Sequence, residues 1–110
     1  MHAISAAAQQ AHDQGEYERL VIDHVIPSAE LVARLKRKSF SDAKELRSFL
    51  AKWFTLALLT KDEHDQLLKP FKSSLPSTWD DAQFEADGSR RYCRYEHPSI
   101  RIEFTVLNGH

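Results

Sequence analysis

Between residues 100 and 106 the chain alternates without a break. Ile100, Ile102, Phe104 and Val106 fall on one parity, Arg101, Glu103 and Thr105 on the other. A period of two is the pleat of a strand with one buried face, and that face needs an apolar cover. Turn signals at Asp87-Gly88 and His97-Pro98 divide residues 83–107 into three stretches, read as a three-stranded antiparallel meander. The cover is expected from the first seventy residues, which carry helical spacing. The fold class that follows is α+β: three or four N-terminal helices packed on one face of a C-terminal three-stranded antiparallel meander.

With 110 residues there is room for one core, burying roughly two-thirds of the unfolded surface. Residues 1–15 are expected to be a mobile leader or a frayed helix, because Ile4 is their one large apolar side chain between the ends. A single domain then covers residues 16–110, with helices over about 16–69, a linker over 70–81 and the sheet over 83–107. In the first helical stretch Tyr17, Leu20, Val21, His24, Val25, Leu31, Val32 and Leu35 form a stripe at spacings of three and four. Pro27 interrupts it, and a proline inside a straight helix costs about 3 kcal/mol. Either one helix kinks there or Pro27 opens a second, and the unbroken stripe favours the kink. The β-branched run 20–26 also fits a strand.

A better-marked helix is expected over residues 41–59. Ser41 or Asp42 can cap it, and Ala43, Leu46, Phe49, Leu50, Trp53, Phe54 and Ala57 follow at helical spacing. Leu56, Leu58 and Leu59 make its second half apolar almost all round, which suits a central helix or one that serves a partner. Thr60 and Glu63 then form a capping box that opens another helix, ending at Pro70. In the meander, a turn centred on His97-Pro98 sets Tyr95 opposite Ile100 and Cys93 opposite Ile102, all inward. Arg94, Arg101, Tyr92 and Glu103 then face outward as a charge lattice. Arg91 turns inward beside Phe84 and Phe104, and a bulge near Gly88 would relieve it.

Composition excludes several function classes. Residues 1–14 have no basic start and no apolar run, and the apolar stretch 49–59 is too short for a membrane span of about 20 residues. A cytoplasmic protein without membrane partners is expected. One cysteine, Cys93, forbids an internal disulfide. Six histidines show no ligand spacing, so neither a metal nor another cofactor is expected. Cys93 and His97, four apart on one strand, would stand about 13 Å from each other, too far for a thiolate–imidazole pair. No catalytic residue is assigned, and an enzyme is the reading least supported.

Two classes remain. The net charge of −1 hides alternating blocks, −4 over residues 1–30, +5 over 31–52, −4 over 53–88 and +2 over 89–110. Arg34, Lys36, Arg37 and Lys38 make a basic patch at a helix end. Arg90, Tyr92, Arg94 and Arg101, with Glu103, interleave charge and aromatic rings on the sheet, as a partner-binding surface would. Basic groups neutralise phosphates and tyrosines stack on bases, which gives a nucleic-acid reading. The acids among them and the overall charge balance favour the other class, a small non-catalytic module that binds or regulates an unknown protein. A homodimer through the surplus leucines is a further option, with burial inside the monomer favoured over it.

Overall fold

The computed structural model describes residues 2–107. Its centre is a four-stranded mixed sheet, and the three-stranded antiparallel meander is not formed. The strands are β1 (His2–Ser5), β2 (Leu20–His24), β3 (Leu56–Thr60) and β4 (Phe104–Leu107), in the spatial order β2-β3-β1-β4. β1 runs parallel to β3 with Ala3 beside Ala57, and antiparallel to β4 with His2 beside Leu107. β2 runs antiparallel to β3 with Ile22 beside Leu58. The helices are α1 (Ala6–Asp13), α2 (Ser28–Arg37), α3 (Ala43–Trp53), α4 (Asp81–Asp87) and the single turn α5 (Cys93–Glu96).

Each departure from the expected meander has an identifiable cause, local at Pro27, Asp80 and Gly88 and long-range in the pairing of β3. Three of the four strands come from the region read as leader and helices. β2 is the β-branched run, and Pro27 neither kinks a helix nor sits in one: its extended backbone (φ −52°, ψ 138°) caps α2. The run Leu-Ala-Leu-Leu-Thr is β3, an inner strand of the sheet and not the end of a long helix, with Ala57 and Leu59 buried in the core on one face and Leu56 and Leu58 half-buried on the other. α3 therefore stops at Trp53, six residues before the expected end. Thr60 and Glu63 do bond reciprocally, Thr60 N–H to Glu63 Oε1 at 2.9 Å and Glu63 N–H to Thr60 Oγ1 at 3.2 Å. What they open is one wide turn, closed by Leu68 N–H on the Glu63 carbonyl.

Residues 83–87 and 93–96 are helical, with turns between them, where strands were expected. Asp80 accepts from the N–H groups of Ala82 and Gln83, which starts α4. Gly88, at φ +76°, ends it in the left-handed conformation that a helix C-terminus favours. Asp87-Gly88 is thus a helix stop and not a hairpin turn. His97 does carry a turn, accepting from Ile100 and Arg101 N–H. Beyond it the alternation persists in burial: Ile100 and Ile102 are buried while Arg101 and Glu103 are exposed. Only residues 104–107 pair, because Arg101 adopts a left-handed backbone (φ 50°) that breaks the extension.

Two cores lie along a molecule of 47 × 31 × 21 Å. One covers a single face of the sheet, where Ala3, Ala57 and Leu59 meet Leu68, Tyr92, Tyr95, Ile100 and Ile102. The other joins Ile26, Leu31, Phe49, Trp53 and Phe84, so α2, α3 and α4 pack on each other and α3 does not lie on the sheet. In it the guanidinium of Arg34 lies over Trp53 at 5.2 Å and bonds both oxygens of Asp81 at 2.9 and 2.7 Å. Among the described residues no helix is long and apolar enough to cross a membrane.

Candidate docking surface

The register sorts the sheet's side chains into two faces. Ala3, Ser5, Val21, Asp23, Ala57, Leu59, Phe104 and Val106 point toward the first core. The opposite parity holds His2, Ile4, Leu20, Ile22, His24, Leu56, Leu58, Thr60, Thr105 and Leu107; none of these carries a carboxylate, ammonium or guanidinium group, although buried Thr60, at one end, is bonded to the Glu63 carboxylate. α1 approaches β1, β2 and β3, but the side chains it buries are Ala8 and Ala11, and neither belongs to the core on the covered face. Alanines reach too little of the second face to close it. Ile22 stays 61% exposed and Leu107 44%, with Ile4, Leu20, Leu56 and Leu58 half-buried.

This open face runs on into the helical half. His24, Leu56, His2 and Leu107 form one row across the four strands. At its end the Phe54 ring meets His24 edge-on at 5.6 Å and is itself 44% exposed. A groove of about 700 Å³ opens there, lined by His2, Leu31, Leu50, Ala51, Phe54 and Leu56. Two independent features of the chain thus meet in one shelf without a carboxylate, ammonium or guanidinium group, the second parity of the sheet and the C-terminal turn of α3. A single exposed Leu or Ile is ordinary, whereas a contiguous apolar surface of several hundred Å² marks a contact site.

The residues singled out from the sequence are placed elsewhere and are not brought together. Arg94, expected outside on the sheet, is 1% exposed because residue 94 lies on a helical turn. Its Nη2 bonds Asp23 Oδ2 at 2.8 Å, and Nε and Nη1 donate to the carbonyls of Val25 and Phe71 at 3.1 and 3.0 Å. The Tyr95 hydroxyl donates to the same Asp23 oxygen at 2.5 Å, and His64 Nε2 stands 3.9 Å from the other. Burial first, then the Asp23 charge, pushes the Tyr95 hydroxyl far above its ordinary range. The expected charge lattice of Arg94 with Arg101, Tyr92 and Glu103 is not formed, since Arg94 is buried and bonded to Asp23 while Glu103 is exposed. The knot of Asp23, Arg94 and Tyr95 ties β2 to the C-terminal segment and offers nothing to solvent.

Tyr92 is buried against Phe104 at 4.8 Å, Arg90 and Arg101 are exposed with left-handed backbones, and Glu103 is exposed. In the basic patch Arg34 is engaged with Asp81, and Lys38 pairs with Glu85 at 3.1 Å, while Lys36 and Arg37 are exposed. Arg91 does turn inward, with its guanidinium 4.9 Å over Phe84 and Nη1 bonded to Thr55 Oγ1 at 2.6 Å. Burial lowers its affinity for its proton. Cys93 and His97 are separated by one helical turn rather than 13 Å of strand, and both line a groove of about 530 Å³. The thiol there is pushed up by burial, against nearby Arg94 and Arg90, so it is held as the weakly reactive neutral form. Among the described residues no group of three or more His, Cys, Asp or Glu could hold a metal ion.

Sequence reading misses Ile22, Phe54 and Leu107 as surface residues: Ile22 falls off the first helical stripe and inside the β-branched run 20–26, Phe54 sits in the apolar series of the 41–59 helix, and Leu107 closes the expected sheet. The usable signal was the pair of short apolar runs 20–22 and 56–59, each bounded by polar residues at strand length. No protein-family model, curated protein or solved structure matches the chain.

Proposed function

We propose that this chain is a small non-catalytic protein-binding or regulatory module that docks through the shelf formed by the second face of its sheet and the end of α3. The observation that carries the reading is the coincidence of Ile22, Phe54 and Leu107, all substantially exposed, on one surface without a carboxylate, ammonium or guanidinium group. Apolar contact area with little polar functionality suits a protein surface better than a small substrate, whose orientation needs placed polar groups. The nucleic-acid alternative is weakened because Arg94 and Tyr92 are buried and Arg34 and Lys38 are paired, which leaves Lys36, Arg37, Arg90 and Arg101 as its exposed cations.

Site-specific photo-crosslinking in living cells tests this. A benzophenone side chain at position 22, 54 or 107 should give a discrete protein adduct. The same group at exposed Lys69 or Arg37 should give none. Equal yields at shelf and control positions, or no adduct anywhere, would refute the reading.

A further inference from the structure

We propose that α2, α3 and α4 form one rigid body that swings on the sheet half of the molecule, with Arg94 as the fixed pin of the joint and Arg91 as its releasable latch. The two cores share no residue, and the boundary between them is sharp along the chain. Val25 is buried in the first core and its neighbour Ile26 in the second. Trp53 belongs to the second and Ala57 to the first, Phe71 packs on the first and Leu75 on the second, and Phe84 belongs to the second and Tyr92 to the first. The chain therefore passes between the halves four times, at residues 25–26, 54–55, 72–74 and 88–91. Halves joined by crossings of the chain, without a shared apolar core, are free to move relative to each other.

Two arginines, at positions 91 and 94, hold all four crossings. The first two lie side by side, since Val25 N–H donates to the Thr55 carbonyl at 2.8 Å. Arg94 bonds the Val25 carbonyl through Nε and Nη2 at 3.1 and 2.9 Å, and the Phe71 carbonyl beside the third crossing through Nη1 at 3.0 Å. Its charge is met by Asp23 at 2.8 Å in a site where it is 1% exposed, so release would strand a buried carboxylate. Arg91 ties the fourth crossing to the second, its Nη1 bonding the Lys52 carbonyl at 2.5 Å and Thr55 Oγ1 at 2.6 Å. It lacks what holds Arg94 in place. Among the described residues no carboxylate pairs with it, and its buried Nε has no acceptor. A guanidinium held without a counter-charge regains hydration on swinging out, which offsets much of the bonding given up. The backbone beside it is also under strain, because Arg90 carries a side chain at a left-handed φ of 63°.

A swing at this joint changes the groove of about 700 Å³, because its walls belong to different halves. Leu31, Leu50, Ala51 and Phe54 move with the helical body, while His2 and Leu56 stay with the sheet. The joint is independent of whether a protein docks on the shelf.

Backbone ¹⁵N relaxation dispersion and residual dipolar couplings of the full chain test the hinge. In the parent, the Val25, Thr55 and Arg91 amides should share one exchange rate on the microsecond-to-millisecond scale, and amides in the middle of α3 should show none. Arg91→Ala removes both latch bonds and should raise the open population on the order of tenfold. In that variant the couplings of each half should still fit its own geometry, while the orientation of α2–α4 relative to the sheet changes. Lys36→Ala, an exposed cation on α2, should change nothing. Thr55→Val removes one of the two acceptors and should shift the equilibrium the same way by less. It takes the place of Arg91→Ala if circular dichroism shows that variant unfolded. A parent without exchange at the crossings overturns the proposal, as do variant couplings that match the parent's. Unequal rates at the crossings, or couplings within α2–α4 that no longer fit one body, overturn it too, because they report local melting in place of a swing.

Discussion

Replacing Tyr95 by phenylalanine removes one oxygen from the Asp23–Arg94–Tyr95 knot and leaves the ring packing unchanged. The hydroxyl donates to Asp23 Oδ2 at 2.5 Å, with Tyr95 fully buried and Asp23 6% exposed. A hydrogen bond to a buried ionised group contributes about 1.5–3 kcal/mol. Asp23 keeps its bond from Arg94 Nη2, so the carboxylate is not orphaned and the lower half of that range applies, about 2 kcal/mol. For a domain with a total stability of roughly 5–15 kcal/mol, this is a large fraction. In urea, at a slope of roughly 1–3 kcal/mol per molar, the midpoint should fall by about 1 M with the slope unchanged. Arg94→Ala should cost more, about 3–5 kcal/mol, since it leaves a buried carboxylate uncompensated and strips donors from the Val25 and Phe71 carbonyls. Because that loss could unfold the chain outright, Tyr95→Phe combined with Asp23→Asn is the sharper measurement. The pair should be non-additive by at least about 1 kcal/mol. Additive effects, or a Tyr95→Phe midpoint within error of the parent, would refute the knot as a source of stability.

Four other outcomes follow. Ile102→Ala, in the core under the covered face, should cost about 2–5 kcal/mol, whereas Ile22→Ala on the open face should stay below about 1 kcal/mol by the same urea titration. Ser5→Ala removes both the cap of α1 (Ala8 N–H to Ser5 Oγ, 3.0 Å) and the bond Ser5 donates to buried Glu63 at 2.6 Å, so a loss of about 1–3 kcal/mol should appear in thermal unfolding. Gly88→Ala should cost about 1 kcal/mol from backbone strain at φ +76° alone, since the new methyl would meet only the Arg91 guanidinium at 3.6 Å. The Asp81 carboxyl is held below its usual range by hydrogen bonds from Arg34 and then Trp79. Its folded pKa lies below the unfolded value, so the stabilisation is complete above about pH 4 and is lost as pH falls through the folded value. The stability gap between parent and Asp81→Asn should accordingly close on acidification below pH 4, and a gap that widens would contradict the pair.

How much of this could be read in the chain is clearest at particular residues. Capping chemistry was legible because it is local: Asp42, Thr60 and Glu63 act within three or four residues, and the structure has all three making their bonds. Burial parity over residues 100–106 was legible too, as the hydrophobic effect sorts side chains whether or not the backbone pairs. Strand pairing was not. Leu56 to Thr60 satisfy a helix stripe as well as a strand, and the choice is made by β1 and β2, which lie more than thirty residues upstream and flank β3 on both sides. Asp87-Gly88 is ambiguous in the same way, since a left-handed glycine closes a hairpin and a helix equally well. The open face inherits this difficulty. Ile22 and Leu107, on the two edge strands, can be placed on one face only once the sheet order is known, and no local pattern announces that order.

The same strand order has a consequence in time. β1 is made first during synthesis, yet its two neighbours are β3 and β4, beginning at residues 56 and 104. Parallel and long-range pairings are the slowest to form, because loop closure must come before any contact rewards it. Half the chain is synthesised before β1 can gain its first ladder, and nearly all of it before the second. Until then residues 2–5 have no sheet to join, and one of the two inner strands of the finished sheet is its longest-waiting segment. Hydrogen-exchange pulse labelling during refolding would therefore find the antiparallel β2–β3 pair protected first and the Ala3 and Ile4 amides protected last.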